Sequence, residues 1–310
     1  MNRLLVTGGS GLLGSHVARA AAARHEVTAL FNAHPIVILG AEVVRCDLTD
    51  GLQTRACLDG VRPEAIFHCA ALTDVELCER DQPLAERANV EATATLAAWA
   101  AEHGAAFVYI STDAVFDGAR GGYREDEPCA PINCYARTKM KAETVTRLQL
   151  PEALIIRTNF YGWSPQARLS LGEWILRGLS RRDRLTMFTD VYFCPILVDD
   201  LARLVLELME RKVSGTYHVV ARDRCSKYEF AKRMGALFGF ETRELVPISV
   251  DEYPFMAKRP KNISLDVAKV TRELGRAMPS IDEGLRAFKA ALDNGEVTAL
   301  KGEVPTWCAR

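Results

Sequence analysis

The feature that most narrows the fold is a glycine-rich loop, Thr7-Gly8-Gly9-Ser10-Gly11-Leu12-Leu13-Gly14, directly after a short apolar run at 3–7. The run is rich in β-formers, and the stretch after the loop, 12–24, is alanine-rich and helical in character. A strand that feeds a helix through such glycines is the opening of a dinucleotide-binding βαβ unit. The loop satisfies G-x-x-G-x-x-G through Gly8, Gly11 and Gly14, and G-x-G-x-x-G through Gly9, Gly11 and Gly14. Glycine permits the tight turn, the approach of backbone to a pyrophosphate, and close packing of helix on strand. The helix start at Leu12 and Leu13 then presents free N–H groups and a partial positive charge. A turn without a ligand is the plainer reading, and the position directly after the first strand weighs against it.

The same rhythm continues. Strand-like runs at 26–31, 43–46, 65–69, 106–110 and 153–157 alternate with helical stretches that include 83–102 and 134–148. This alternation predicts an α/β fold, a Rossmann-type doubly wound parallel sheet covered on both faces. Right-handed crossovers then gather the strands' carboxyl ends, and any ligand, along one edge. After about residue 160 the rhythm changes. Helices are expected at 172–179, 199–210 and 226–238 and a strand at 215–220, with Pro195, Pro247, Pro254 and Pro260 as punctuation. The expected organisation is a dinucleotide-binding domain at 1–160 that regains a strand or helix from later chain. A smaller C-terminal α/β substrate domain at 161–294 and a patternless tail at 295–310 follow.

Composition removes several classes. The 310 residues suffice for a sizeable core, and 48% hydrophobic with 25% charged residues is ordinary for a globular protein. A formal net charge of -1 gives no reason to expect nucleic acid or an anionic membrane as partner. No apolar run approaches the roughly 20 residues that span a bilayer, and the opening Met1-Asn2-Arg3 with its short apolar run is expected to be no signal peptide. The nine cysteines, at 46, 57, 69, 78, 129, 134, 194, 225 and 308, form no Cys-x-x-Cys pair and no zinc-ligand spacing with histidine. No metal site is expected. Structural free thiols in a reducing cytoplasm are the expectation.

The second strand ends at Asn32, where an acidic residue would favour NAD through its ribose, and no arginine follows immediately for a 2′-phosphate. The choice between NAD(H) and NADP(H) therefore stays open. Asp47 and Leu48 close a strand at the same edge. Asp47 either accepts a hydrogen bond from the adenine amino group or caps the next helix.

Tyr135 and Lys139 stand four apart, on one face of a helix. A phenol near its reference pKa of about 10 is a poor proton donor-acceptor at neutral pH, and a cation beside it favours the phenolate. Y-x-x-x-K alone is weak, because Tyr228 and Lys232 match it equally well. That second copy follows Ser226, a helix-capping residue, and precedes Met234, Leu237 and Phe238, so it reads as an amphipathic structural helix. Only Tyr135 follows a strand that ends in Ser111-Thr112-Asp113, whose hydroxyls lie at the ligand edge. Ser-Thr-Asp is also ordinary turn chemistry; the glycine loop favours the functional reading.

Together these residues resemble the extended short-chain dehydrogenase/reductase family, and within it the dTDP-4-dehydrorhamnose reductase-like group of sugar-nucleotide reductases. The resemblance rests on 7–14, on Tyr109-Ile110-Ser111-Thr112-Asp113-Ala114-Val115-Phe116-Asp117-Gly118, on 135–139 with Glu143, and on Arg259-Pro260-Lys261-Asn262 leading to Leu265-Asp266. It implies Tyr135 as proton donor, Lys139 as its partner and ribose ligand, and Thr112 as the hydroxyl that polarises a carbonyl. It implies Asn89 as support for the lysine side, Ala70 and Ala71 as the loop over the cofactor, and Asn159 where backbone meets the nicotinamide carboxamide. Asp113 and Arg259 are its substrate-side candidates. Two departures stand on that side: Ala114 where the reductases usually carry tyrosine, and residues 190–196 where they usually show Gln-Gly-x-Pro-Thr.

The implied reaction is reduction of a keto group on a nucleotide-linked sugar by NAD(H) or NADP(H). An NAD-dependent epimerase or dehydratase is the enzymatic alternative, and a non-catalytic NADP-binding regulatory subunit the other. A homodimer is an open alternative to a monomer. The basic stretch 177–184, with Arg181 and Arg182, either binds the substrate diphosphate or is a solvated helix end.

Overall fold

A computed structural model describes residues 2–307. Seven strands form one all-parallel sheet: β1 (Arg3–Thr7), β2 (Glu26–Phe31), β3 (Ala41–Arg45), β4 (Ala65–His68), β5 (Ala106–Thr112), β6 (Leu154–Thr158) and β7 (Gly215–His218). Their order is β7-β6-β5-β4-β1-β2-β3. The chain reverses direction across the sheet at β1 and β4, which opens a crevice at their carboxyl ends. Side chains alternate across the sheet as strand geometry requires. Leu4, Val6, Phe67, Val108, Ile110 and Ile156 enter one core, and Leu5, Ile66, Phe107, Tyr109 and Ile155 the other.

The first core is covered by α1 (Leu12–Ala22) with the later helix at Val198–Glu210. The second lies under α2 (Gly51–Val61), the helix Ala92–His103 and the helix Cys134–Gln149. Numbered in chain order with α3 (Val75–Arg80), these become α4 (Ala92–His103), α5 (Cys134–Gln149), α6 (Leu171–Arg181), α7 (Val198–Glu210), α8 (Lys227–Phe238) and α9 (Ile281–Asp293). Late chain thus returns twice to the first layer, through β7 and α7. The other late elements enclose a separate aromatic core of Tyr161, Trp163, Phe193, Phe230 and Phe288. Three two-stranded pairings frame it: 160–161 with 196–197, 192–193 with 225–226, and 185–188 with 245–248.

Several elements differ from expectation. The stretch 83–102 is not one regular helix. It runs through Gln82–Glu86, a π turn at Arg87–Glu91, and then α4. The π turn carries Asn89, 1% exposed, whose side chain is bonded outside the helix. The helix expected after Asp47 is α2, with a thin apolar face; only Thr54 and Leu58 are buried, and Asp50 caps it. Helix α9 was missed despite its Ser280–Glu283 capping box. The region after 294 is tied down through a short helix, Glu296–Lys301, with Val297 buried, Lys301 2.7 Å from Glu173, and Trp307 stacked on Trp163. Cys308 lies outside the described residues, and the eight described cysteines are unpaired. Among the described residues no helix is long and apolar enough to cross a membrane, and no cluster of His, Cys, Asp and Glu is arranged to hold a metal.

Candidate active site

The glycine loop turns at the carboxyl end of β1. Gly8 adopts a left-handed φ of 66°, and a Cβ there would meet Ala70 N at 2.8 Å. A Cβ on Gly14 would meet Gly8 O at 2.2 Å, so helix and loop touch backbone to backbone. Gly11 stands at the N-cap of α1 and supplies no capping side chain, so the first-turn amides of Leu12, Leu13 and Gly14 keep their donors for an external acceptor. Asp50, Asn133, Ser170, Ser226 and Ser280, by contrast, cap their helices with side-chain oxygens. A dinucleotide's pyrophosphate fits this cradle of backbone, free amides and positive helix end.

The strand that follows the cradle in space is held by a chain of hydrogen bonds. Ala70 N donates to Thr7 Oγ1 at 3.1 Å, and Thr7 Oγ1 lies 2.8 Å from His68 Nδ1. On the other side His68 Nε2 lies 2.9 Å from Thr93 Oγ1, which donates to Asn89 O at 2.7 Å. Because the Thr93 proton goes to Asn89, Nε2 donates to Thr93. Burial and the charge of Lys139 lower the His68 pKa to about 3, which favours the neutral ring. Asn89 then clasps Leu72 through both N–H and C=O, and donates to Thr138 Oγ1 at 3.0 Å. The 70–72 loop, with Ala70 and Ala71, is thereby fixed above the glycines. Asn89 supports the residue beside Lys139 and makes no bond to the lysine itself.

At the end of β2, Asn32 stands near Asp47. The Asp47 carboxyl is held below its usual range by the Thr49 amide and hydroxyl, with Asn32 adding to the effect. Asp47 does not cap α2, since Asp50 does so through Leu52 N and Gln53 N; Asp47 instead closes a turn on Thr49. Leu48 follows it, half-buried, at the same edge.

The end of β5 carries the candidate constellation. Thr112, 6% exposed, accepts from Ala114 N and donates to Asp113 Oδ1 at 3.2 Å. Thr112 thus also caps the short turn at 113–115. Tyr135 enters on the first turn of α5, whose start is pinned by Asn133 to Ala136 N and by Glu79 to Cys134 N. Burial pushes its phenol pKa up, against the hydroxyl of Thr112, which pulls it down. Lys139 is 3% exposed; its Nζ donates to Ile110 O at 2.7 Å and lies 4.2 Å from the Tyr109 ring centroid. Burial lowers its pKa to about 7 against the pull of Glu143. The ammonium's contacts are the Ile110 carbonyl and the Tyr109 ring, and Lys139 is not among the groups that act on the Tyr135 phenol.

Asp113 is 2% exposed. Burial raises its carboxyl, with Lys227, Asn159 and Thr112 as the groups opposing that shift. Asn159 therefore serves Asp113 with its side chain, while its carbonyl accepts from Ile196 N at 3.0 Å. This pairing leaves room for the expected backbone contact to a carboxamide, since a carbonyl has a second lone pair. Arg259 is likewise engaged, donating to Glu76 at 2.8 Å with its guanidinium 4.5 Å from the Phe255 ring centroid. Arg181 and Arg182 line a groove with Phe240 and Trp307 that contains none of Thr112, Asp113 or Tyr135.

Across residues 1–294 the chain matches the model described as the RmlD substrate binding domain. It belongs to the RmlD family. The chain is 32% identical over 295 residues to a probable low-salt glycan biosynthesis reductase of Haloferax volcanii, covering 93% of this chain and 98% of that one. It is 30% identical over 295 residues to methionine adenosyltransferase 2 subunit beta of Xenopus laevis, covering 87% and 82%. A crystal structure of dTDP-4-dehydrorhamnose reductase from Bacillus anthracis, in complex with NADP, superposes with a TM-score of 0.83 at 29% identity, covering 94% of this chain and 99% of that one.

Family membership bears out the resemblance read from the motifs. The second Y-x-x-x-K copy is, as expected, structural: Ser226 and Glu229 form a capping box at α8, and Phe230, Ala231 and Met234 are buried. What the sequence reading missed lies one residue before that copy. Lys227 has its Nζ 3.3 Å from the Phe193 ring centroid and acts electrostatically on Asp113. His68 was missed as well, because a lone histidine in an apolar strand carries no signal until Thr7 and Thr93 are seen beside it.

Proposed function

We propose that this RmlD-family protein is an NAD(P)H-dependent oxidoreductase that reduces a keto group on a nucleotide-linked sugar. The observation that carries the reading is the meeting of Thr112, Asp113 and Tyr135 at the carboxyl end of β5, across the sheet's crevice from the glycine cradle. When bound, the nicotinamide supplies the hydride. The cradle residues Gly8, Gly11, Leu12, Leu13 and Gly14 hold the pyrophosphate, with Asn32, Asp47 and Leu48 toward the adenosine and Ala70 and Ala71 above it. Tyr135 delivers a proton to the carbonyl oxygen. Thr112 polarises that oxygen and stabilises the charge that develops on it. Lys139, buried with a pKa near neutrality, is poised to hold ribose hydroxyls and to favour tyrosinate once burial by ligand rearranges its partners. Asp113, kept in place by Thr112 and Asn159, faces the sugar.

The neutral Asn32 admits either phosphate form of the cofactor. Unpaired cysteines fit a reducing cytoplasm as the place of work. A spectrophotometric assay with NADH and NADPH against a panel of 4-keto nucleotide sugars tests the reading, with turnover expected for at least one sugar. A second reading is favoured by the similarity to methionine adenosyltransferase 2 subunit beta: a cofactor-binding regulatory subunit without turnover. Cofactor binding in the absence of any reduction across the panel is the result that selects it.

A further inference from the structure

Lys227 occupies a position that its own helix does not favour. It is the first residue of α8, where the helix's partial positive charge repels a cation. The capping box of Ser226 and Glu229 already satisfies the helix start, so the lysine contributes nothing there. Its backbone N–H is fixed to Val191 O at 3.0 Å, and its ammonium is held over the buried ring of Phe193. Both supports come from 190–196, the stretch in which this chain departs from the reductase pattern.

The ammonium lies near enough to Asp113 for each group's charge to stabilise the other's. Yet they do not close into an ion pair. Asp113 Oδ1 takes the Thr112 hydroxyl, while Oδ2 is buried with no hydrogen-bond partner. A buried carboxylate oxygen left open is costly, and such a group is retained where a donor arrives from outside. Thr112, Asn159 and Tyr135 act on or are acted on by the Asp113 carboxyl, while Lys227 carries the Cys225 thiol and the Phe193 ring beside it. An open acceptor near a donor with which it does not pair matches a hydroxyl, which donates with its hydrogen and accepts with its oxygen.

We propose that Lys227 is a specificity-determining residue that completes a two-point grip with Asp113 on the sugar hydroxyl beside the keto carbon. That hydroxyl donates to Asp113 Oδ2 and accepts from Lys227 Nζ. Because Asp113 adjoins Thr112, a grip on the neighbouring hydroxyl also sets the carbonyl oxygen against Thr112 and Tyr135. The inference rests on the reading of the site as one for nucleotide-linked sugars.

Equilibrium calorimetry on the NADP⁺-loaded protein, with dTDP-glucose and dTDP-3-deoxyglucose as probes, tests it without turnover. The expected result is about 10- to 100-fold tighter binding of the hydroxylated probe by the unsubstituted protein, the range contributed by a hydrogen bond to a charged group. Lys227→Met is expected to bring the two probes within about 3-fold by weakening only dTDP-glucose, and Lys227→Arg to restore part of the preference. The Kd for NADP⁺ stays unchanged in both variants. Equal weakening of both probes by Lys227→Met, no preference in the unsubstituted protein, or binding of neither probe overturns the grip. Loss of the reductase reading shows separately: no 4-keto sugar is reduced while the preference for dTDP-glucose and its dependence on Lys227 persist.

Discussion

Arg157 grips Glu143 with two parallel hydrogen bonds, Nε to Oε1 at 2.9 Å and Nη2 to Oε2 at 2.8 Å, with the side chains 3% and 0% exposed. Ser111 adds its hydroxyl to Glu143 Oε1 at 2.6 Å. The pair therefore joins α5, which carries Tyr135 and Lys139, to the ends of β5 and β6. Burial alone would raise the Glu143 carboxyl, and Arg157 with Ser111 outweighs it. Removing one partner leaves an uncompensated buried charge. Glu143→Gln is expected to cost about 3–5 kcal/mol in urea unfolding. The double replacement Glu143→Leu with Arg157→Met is expected to recover most of that loss. A cost within 1 kcal/mol for the single variant would show the pair to be better solvated than its geometry states.

The glycine cradle makes a sharper claim about backbone contact. In Gly14→Ala the new Cβ lies on Gly8 O, at 2.2 Å, so α1 must withdraw from the loop. The expected outcome is a destabilisation of roughly 1–3 kcal/mol together with at least a tenfold weaker Kd for the dinucleotide, read by calorimetry. Gly60→Ala serves as the control. Its Cβ meets nothing within 4 Å, and helix propensity gives it a small gain of about 1 kcal/mol. Unchanged cofactor affinity in Gly14→Ala is the outcome that rules out the cradle.

Acid stability follows from two histidines buried in neutral form. The pKa values of His68 and His218 are both lowered to about 3, by burial first and then by Lys139 and Arg157 respectively. The unfolded chain binds these protons near pH 6.5 and the folded chain does not, so stability is fully present above that pH and falls as pH drops toward 3. Each histidine contributes a slope of about 1.4 kcal/mol per pH unit within that window. Between pH 6.5 and 5, above the usual carboxylate range, the decline is expected to flatten by one proton in His68→Gln. Parallel stability-against-pH curves for the two proteins would contradict the neutral assignment.

Cofactor preference turns on Asn32. A carboxylate at this position accepts from the ribose hydroxyls of NADH and repels a 2′-phosphate. Asn32→Asp is expected to move the ratio of kcat/KM for NADH over NADPH at least tenfold toward NADH. Asp47 stands beside it, so the variant also brings two carboxylates together, and a modest loss with both cofactors accompanies the shift. A ratio that does not move places the adenosine ribose elsewhere.

The first half of the fold was legible because its signals are local. β1 and β2 lie where the apolar runs put them, and the glycine loop with the strand ending at Thr112 singled out Tyr135 from two equal Y-x-x-x-K copies as the candidate. What escaped depends on distant partners. Asn159 was assigned by resemblance to a carboxamide contact, while its bond to Ile196, nearly forty residues away in sequence, had no local signal. Arg259 was named as a substrate-side candidate, and its ion pair with Glu76, on α3, had no signal in the sequence. Lys227 sits where helix electrostatics argue against a cation, and only the approach of Asp113 and Phe193 explains it. Asp47 looked like a cap because Asp50, three residues on, was equally eligible.

The central claim is that Tyr135 transfers the proton during reduction of a nucleotide-linked keto sugar. The most direct test is kcat for Tyr135→Phe, with NADPH oxidation followed against a 4-keto nucleotide sugar that the unsubstituted protein turns over. Loss of a general acid lowers kcat by roughly 10²–10⁴-fold, and the account predicts a fall in that range with cofactor Kd unchanged. A Tyr135→Phe variant that keeps kcat within a few-fold of the unsubstituted protein would contradict it.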